Sequence, residues 1–318
     1  MTIAESVGFE QRIVHEPTPP YELIGASRAP VVVVLGGISS SRHVAVSLAD
    51  PSPGWWEAQV GPGRAIDTKA FRVLGVDYLD GGRGPDGRPA RIVTTHDQAA
   101  ALAALLDTLG VERVRAVVGA SYGGMVALAF AERHAERVEQ LVVISAAHES
   151  HPMSTGLRAL QRRVVELGLE HGFASEALAV ARGIAMTTYR TAREFADRFD
   201  NVPSLLSETD VSFEVERYLA SRGASFAAKF SPEYFLALSL SSDLHRVDPA
   251  AIRTPTTIVA AEGDTLVPQV QTRSLARRLA VPGRFVFLPT IFGHDAFLKE
   301  PAKIGRILSS VLSHRVTS

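Results

Sequence analysis

The 318-residue sequence predicts an α/β fold, a doubly wound and mostly parallel sheet interrupted by a helical insertion. Three observations predict it. Short apolar, β-branched runs alternate with stretches whose apolar residues fall at helical spacing. One of those runs passes through a glycine-flanked serine straight into an alanine-rich helical segment. Finally, the stretch from Pro152 to about His245 carries helical spacing with no convincing strand.

Taken in order, the first strand is Pro30 to Leu35, ended by Gly36-Gly37, and the second is Phe71 to Val76, ended by Asp77. Both are continuous apolar runs, the pattern of parallel strands covered on two faces. Asp97 to Leu109 has helical periodicity and stops at Gly110, a helix C-terminal signal. Val114 to Val118 is the next strand, Met125 to His134 the helix after it, and Leu141 to Ser145 continues the alternation, which implies right-handed crossovers. Segments such as LRALQRRVVELG and AREFADRF then mark the insertion. Strands return at Thr256 to Ala261 and Arg284 to Leu288, with a helix between them from Val270 to Leu279 and a last one from Pro301 to Leu312. The division expected is a core unit of residues 1–151 and 246–318, with residues 152–245 as a helical lid. GGRGPDGRPAR, residues 81–91, is a surface loop; no helix starts directly after it, so its glycines make a poor phosphate cradle.

Composition narrows the chemistry. With 46% hydrophobic and 21% charged residues the chain is globular in character. No run of about eighteen apolar residues exists, and MTIAESVGFEQRIVHEPTPP lacks the basic flank and apolar core of a signal peptide, so the expected location is cytoplasmic. A net charge of −1, with 33 Lys and Arg scattered along the chain, offers no field for nucleic acid. There is no cysteine, so a covalent nucleophile has to be an oxygen. His148, Glu149 and His151 match no strong ligand spacing, and no metal is expected.

Gly119-Ala120-Ser121-Tyr122-Gly123 fits a nucleophile elbow, in which small neighbours let a strained turn push a serine hydroxyl out above the sheet; Gly124 adds a second small residue where helix meets strand. Such a serine needs a base, because its hydroxyl must lose a proton as it attacks. On this kind of sheet the partners follow later strands in the order Ser, Asp or Glu, His. The strand ending at Ala261 runs into Glu262-Gly263-Asp264, and the strand ending at Leu288 leads to His294. The expected triad is Ser121, Asp264 and His294, with Glu262 as the rival acid and a plain turn as the alternative role of Asp264. An oxyanion would be met by the backbone N–H of Tyr122 and one from the loop after the first strand, at Gly37 or Ile38.

Beyond the elbow, GWWEAQVGPGRAIDT (54–68), GASYGGM (119–125), MTTYRTAREFADRF (186–199), FSPEYFLALSLSSDLH (230–245) and GHDAF (293–297) resemble the sequence blocks of the homoserine O-acyltransferases, in that family's order and near its spacing. The resemblance spans residues 30–312 and implies the α/β-hydrolase fold with a helical lid. It also implies a ping-pong reaction of methionine biosynthesis, in which Ser121 takes an acyl group from acyl-CoA and L-homoserine, deprotonated by His294, removes it. Acyl-CoA is then a co-substrate, with no bound cofactor. By resemblance Arg190 clamps the acceptor's α-carboxylate, Asp295 meets its ammonium, and the chain forms a homodimer through its insertion. Leu35-Gly36-Gly37-Ile38-Ser39, the tyrosine at 122 and the short N-terminal portion look like the succinyl-CoA branch. A succinyl donor brings a free carboxylate, for which Arg42 is the candidate cation and a surface arginine its alternative reading. Acetyl transfer, L-serine as acceptor, ester hydrolysis and a non-catalytic binding role are the competing functions. Trp55 and Trp56 either line a tunnel or pack, and the same holds for Tyr189 and Tyr234.

Overall fold

The computed structural model describes residues 18–313. Residues 1–17, which include most of the segment read as lacking a signal peptide, and residues 314–318 lie outside the described residues. The chain opens with β1 (Tyr21–Gly25) and β2 (Val31–Leu35), followed by the short pair β3 (Val60–Gly61) and β4 (Ile66–Asp67) and by β5 (Arg72–Val76). Then come α1 (Thr95–Thr108), β6 (Ala116–Ala120), α2 (Tyr122–Arg133) and β7 (Leu141–Ile144). Helices α3 (Pro152–His171), α4 (Ala174–Tyr189) and α5 (Ala192–Arg198) precede the short strands β8 (Ser204–Leu205) and β9 (Val211–Ser212), and α6 (Glu214–Ala227) and α7 (Pro232–Leu244) follow them. The last elements are β10 (Thr256–Ala261), α8 (Gln269–Arg278), β11 (Arg284–Leu288), α9 (Ala296–Lys299) and α10 (Pro301–Ser313).

Seven strands pair in the order β1-β5-β2-β6-β7-β10-β11. All pairings are parallel except that of β1, which runs antiparallel to β5 at one edge. The VVVVL run of β2 shows why the sheet is covered twice. Successive side chains point to opposite faces. Val31, Val33 and Leu35 therefore join the cluster formed with α1, α2 and α8, whereas Val32 and Val34 join the one formed with Trp56 and α10.

Local chemistry moves several boundaries from their expected places. Thr94 and Asp97 form a reciprocal capping box, with the Thr94 N–H donating to Asp97 Oδ2 at 2.7 Å, so α1 starts ahead of Asp97. β6 lies two residues later than the apolar run suggested and α2 begins at Tyr122, since the turn between them takes up a single residue. β1 was not expected: its residues are only half-buried at a sheet edge and give no continuous apolar run. The insertion, read as free of strands, contains the two-residue β8–β9 pair.

Helices α3 to α7 fall between β7 and β10 in the chain and pack around a cluster of their own, with Val165, Leu178, Phe226 and Phe235 at its centre. Helix α4 lies against both α3 and α6. Its approach to α6 depends on Gly223, where a Cβ would lie 2.3 Å from the carbonyl oxygen of Ala179. Replacing Gly223→Ala forces the two backbones apart, and a loss of about 2 kcal/mol is expected, read as a lower urea midpoint.

Candidate active site

The nucleophile, acid and base candidates all sit at the C-terminal ends of parallel strands, where loops gather in open α/β sheets. Ser121 is the lone residue between β6 and α2, with φ 54° and ψ −121°, a strained backbone for a side chain with a Cβ. Packing holds it there. A Cβ at Gly119 would lie 2.2 Å from the carbonyl oxygen of Gly123, and one at Gly123 would lie 2.3 Å from that of Leu35. The elbow thus closes only with glycine on both sides of its serine.

Three side chains form one hydrogen-bonded line. His294 Nε2 lies 2.8 Å from Ser121 Oγ, and His294 Nδ1 lies 2.8 Å from Asp264 Oδ2. The second oxygen of Asp264 accepts the N–H groups of Leu266 at 3.0 Å and Val267 at 2.9 Å, which fixes the carboxylate. His294 and Asp264 are both buried. Burial pulls the His294 pKa down and Arg158 adds to that pull. The charge and hydrogen bond of Asp264, joined by the charge of Asp295, outweigh them and hold it above 6.5. Glu262 is otherwise engaged: its Oε2 accepts the N–H of Thr290 at 3.1 Å, tying the loops after β10 and β11 together.

On the other side of Ser121 lies the loop that follows β2. A Cβ at Gly37 would fall 3.9 Å from Ser121 Cβ, and Ile38 lines the cavity onto which Ser121 opens. The N–H groups of Ile38 and Tyr122 donate to no acceptor among the described residues. The Tyr122 side chain is buried, its ring edge-on to Tyr78 at 4.8 Å and its hydroxyl 2.7 Å from Ser241 Oγ.

The cavity is narrow, about 50 Å³, with Ser121, Ile38 and His294 on the core side and Arg158, Tyr189 and Phe235 on the side of the insertion. Arg158 Nε donates to Asp243 Oδ1 at 2.7 Å, and its guanidinium also meets Ser150 Oγ. One turn further along α3, Arg162 donates to Asp243 Oδ2 at 2.6 Å and to Ser239 Oγ at 3.0 Å. One carboxylate thus serves two guanidiniums, of which Arg158 lines the cavity, as does Glu149. Arg42, expected there, is elsewhere: its side chain is 48% exposed and pairs with Asp77, and it does not line the cavity. Asp77, at the end of β5, captures it through both its guanidinium and its backbone N–H.

Arg190 and Asp295 come together, with Arg190 Nε 3.3 Å from Asp295 Oδ2, but neither lines the cavity. Arg190 also donates to Glu194 Oε1 at 2.8 Å; both side chains are buried, and Glu194 Oε2 has no partner among the described residues. The sequence reading missed Glu194, although its i,i+4 spacing from Arg190 was a usable signal. It missed Arg158 as well, where the cue was a second arginine at i+4 on the same helix. Trp55 and Trp56 stack at 5.2 Å and lie outside the cavity wall. Tyr234 packs against the main core, whereas Tyr189 reaches the cavity. His148 and Glu149 lie 3.7 Å apart, Nε2 to Oε1, with Arg278 and Arg246 as their further partners, whereas His151 accepts the N–H of Met153. No cluster of three or more potential metal ligands exists among the described residues.

This strand–serine–helix elbow with acid and base on later loops suits nucleophilic chemistry by a serine, and comparison with known proteins gives the family. A family model described as the alpha/beta hydrolase fold matches residues 30–301. A homoserine O-succinyltransferase from Xanthomonas campestris pv. campestris is 48% identical over 292 residues, covering 92% of this chain and 78% of that protein. The chain belongs to the homoserine O-acyltransferase family of α/β-hydrolases. An L-serine/homoserine O-acetyltransferase from Streptomyces lavendulae is 34% identical, with 92% of this chain and 91% of that protein covered. The crystal structure of homoserine O-acetyltransferase from Bacillus anthracis shares the fold at TM-score 0.82 and 17% identity, covering 94% of this chain and 92% of that one. No helix among the described residues of this family member is long and apolar enough to cross a membrane.

A base works only in its neutral form, and here the base's pKa is raised. The acid limb of kcat/KM is therefore expected above pH 6.5, with activity rising as pH increases through it. Asp264→Asn removes the group that raises it, so the limb should move to lower pH while the rate falls on the order of 10⁴-fold. A pH–rate profile of both forms checks the sign.

Proposed function

We propose that this chain is an acyl-CoA-dependent homoserine O-acyltransferase that uses succinyl-CoA and works by a ping-pong mechanism through an acyl-Ser121 intermediate. The observation that carries the reading is the unbroken line from Ser121 through His294 to Asp264, opening onto a cavity that Arg158 borders. His294 Nε2 takes the serine proton as Oγ attacks the thioester carbonyl, and the developing oxyanion meets the N–H groups of Tyr122 and Ile38. As the tetrahedral intermediate collapses, His294 protonates the departing CoA thiolate. In the second half the homoserine hydroxyl gives its proton to His294, attacks the acyl carbon and leaves as the O-acyl ester, and the proton returns to Ser121. Acyl-CoA enters as a co-substrate, and side chains with backbone N–H groups carry every step.

Succinyl preference is supported by charge. A succinyl group ends in a carboxylate, and burying it beside Ser121 without a cation would be costly. Arg158 supplies that cation, with Arg162 and Asp243 fixing its direction. Family resemblance supports Arg190 for the acceptor's α-carboxylate and Asp295 for its ammonium; Asp295 directly follows the base. Arg158, Tyr189 and Phe235 of the insertion line the cavity opposite Ser121, which supports residues 152–245 as a lid on the core unit. The same reading places the protein in the cytoplasm as a homodimer, with exposed Val202, Leu205 and Leu206 of the insertion as an apolar face for pairing.

Acceptor choice is the finer point, because L-serine differs from homoserine by one methylene, worth about 1–3 kcal/mol of discrimination. Initial rates with succinyl-CoA or acetyl-CoA and with homoserine, serine or water should be highest for succinyl-CoA with homoserine, and absent in Ser121→Ala. Equal use of both donors would overturn the succinyl assignment, and free acid as the main product with homoserine present would make the protein a hydrolase. Arg158→Ala should narrow the gap between donors at least tenfold, about the loss of one charge-assisted hydrogen bond. Arg190→Ala should raise the homoserine KM while leaving the first, acyl-forming half-reaction intact.

A further inference from the structure

Two buried hydroxyls outside the triad hold the loop that faces Ser121. Tyr78, which is 5% exposed, donates its hydroxyl to the carbonyl oxygen of Gly36 at 2.7 Å, and the N–H of Gly123 donates to that same oxygen at 2.9 Å. Ser40, 8% exposed, donates to the carbonyl oxygen of Gly37 twice, from Oγ at 2.7 Å and from its own N–H at 3.0 Å. Two successive peptide planes thus have their oxygens pinned by two donors each.

Peptide geometry turns this into a functional statement. In a planar trans peptide the C=O and the N–H of the next residue point in opposite directions. Pinning Gly37 O at Ser40 therefore aims the Ile38 N–H away from Ser40, and pinning Gly36 O at Gly123 and Tyr78 turns the Gly37 N–H away from the elbow and fixes the plane before Ile38. Ile38 lines the cavity, so its freed N–H belongs on the reacting side, while Tyr78 and Gly123 fix the preceding plane on which its direction depends. An oxyanion donor stabilises a transition state only if it is already aimed, because turning it during the reaction would consume what it contributes.

We propose that Ser40 and Tyr78 are positioning residues that pre-aim the oxyanion donor of the loop after β2, the Ile38 N–H, a role resting on the serine acyl-transfer reading above. Neither touches the reacting atoms. Tyr78 also couples this loop to the insertion: its ring meets the Tyr122 ring at 4.8 Å, and the Tyr122 hydroxyl lies 2.7 Å from Ser241 Oγ on α7. The donor is thereby braced from the core and from the lid together.

The test uses the full chain and a donor free of CoA, p-nitrophenyl acetate, which acylates an activated serine with a coloured burst. Ser40→Ala and Tyr78→Phe should each lower the acylation rate constant about tenfold with less than a twofold change in KM, a tenth or less of the loss from deleting a donor outright. Affinity for an alkyl trifluoromethyl ketone, whose adduct with Ser121 places an oxyanion at the same spot, should fall by the same factor in each variant. Ser40→Thr keeps the hydroxyl and should retain most of the wild-type rate. The proposal is overturned by unchanged rate constants and ketone affinity in the Ala and Phe variants, by losses confined to KM, or by a Thr variant as slow as Ala. A wild-type protein that reacts with the ester yet ignores every acyl-CoA would defeat the acyl-CoA reading and leave this one standing.

Discussion

The turn at Ser121 is the constraint on which the site depends. A residue with a Cβ is held at φ 54° between a buried strand and a buried helix, and the strain persists because packing around it leaves no alternative. Gly119 and Gly123 allow the chain to pass over itself at a distance no side chain would permit. Everything else is arranged around the point where that hydroxyl emerges. The loop after β2 faces it from one side, His294 from another, and the insertion closes over the top.

Much of this was legible in the sequence, for a definable reason. Strands buried on both faces are mostly apolar, so β2, β5, β6, β7 and β10 announce themselves, and the strand ends then point to the serine, acid and base candidates. The edge strand β1 has no such requirement and stayed hidden. Side-chain pairing across long stretches of chain was equally silent. Nothing near Arg42 says that Asp77, 35 residues away, will take it, and nothing near Arg158 says that Asp243, 85 residues on, will share it with Arg162. Backbone positioning by Ser40 and Tyr78 was also out of reach, since it lies in where two carbonyl oxygens point.

Charge in the site is divided by purpose. Around His294 the neighbouring charges are mostly acidic, and they keep the imidazole proton-hungry despite its burial. On the side of the insertion one aspartate is shared by two guanidiniums, and one of them, Arg158, lines the cavity. The first arrangement suits proton transfer and the second suits an anionic group, and the two are carried by different parts of the chain.

The serine and its base are 173 residues apart in the chain, with the whole insertion between them. During synthesis the elbow leaves the ribosome long before the imidazole that could ionise it exists. By the time His294 arrives, the helices that cover the cavity have already been made. A chain that stops short of residue 294 thus carries the elbow serine without the imidazole that faces it.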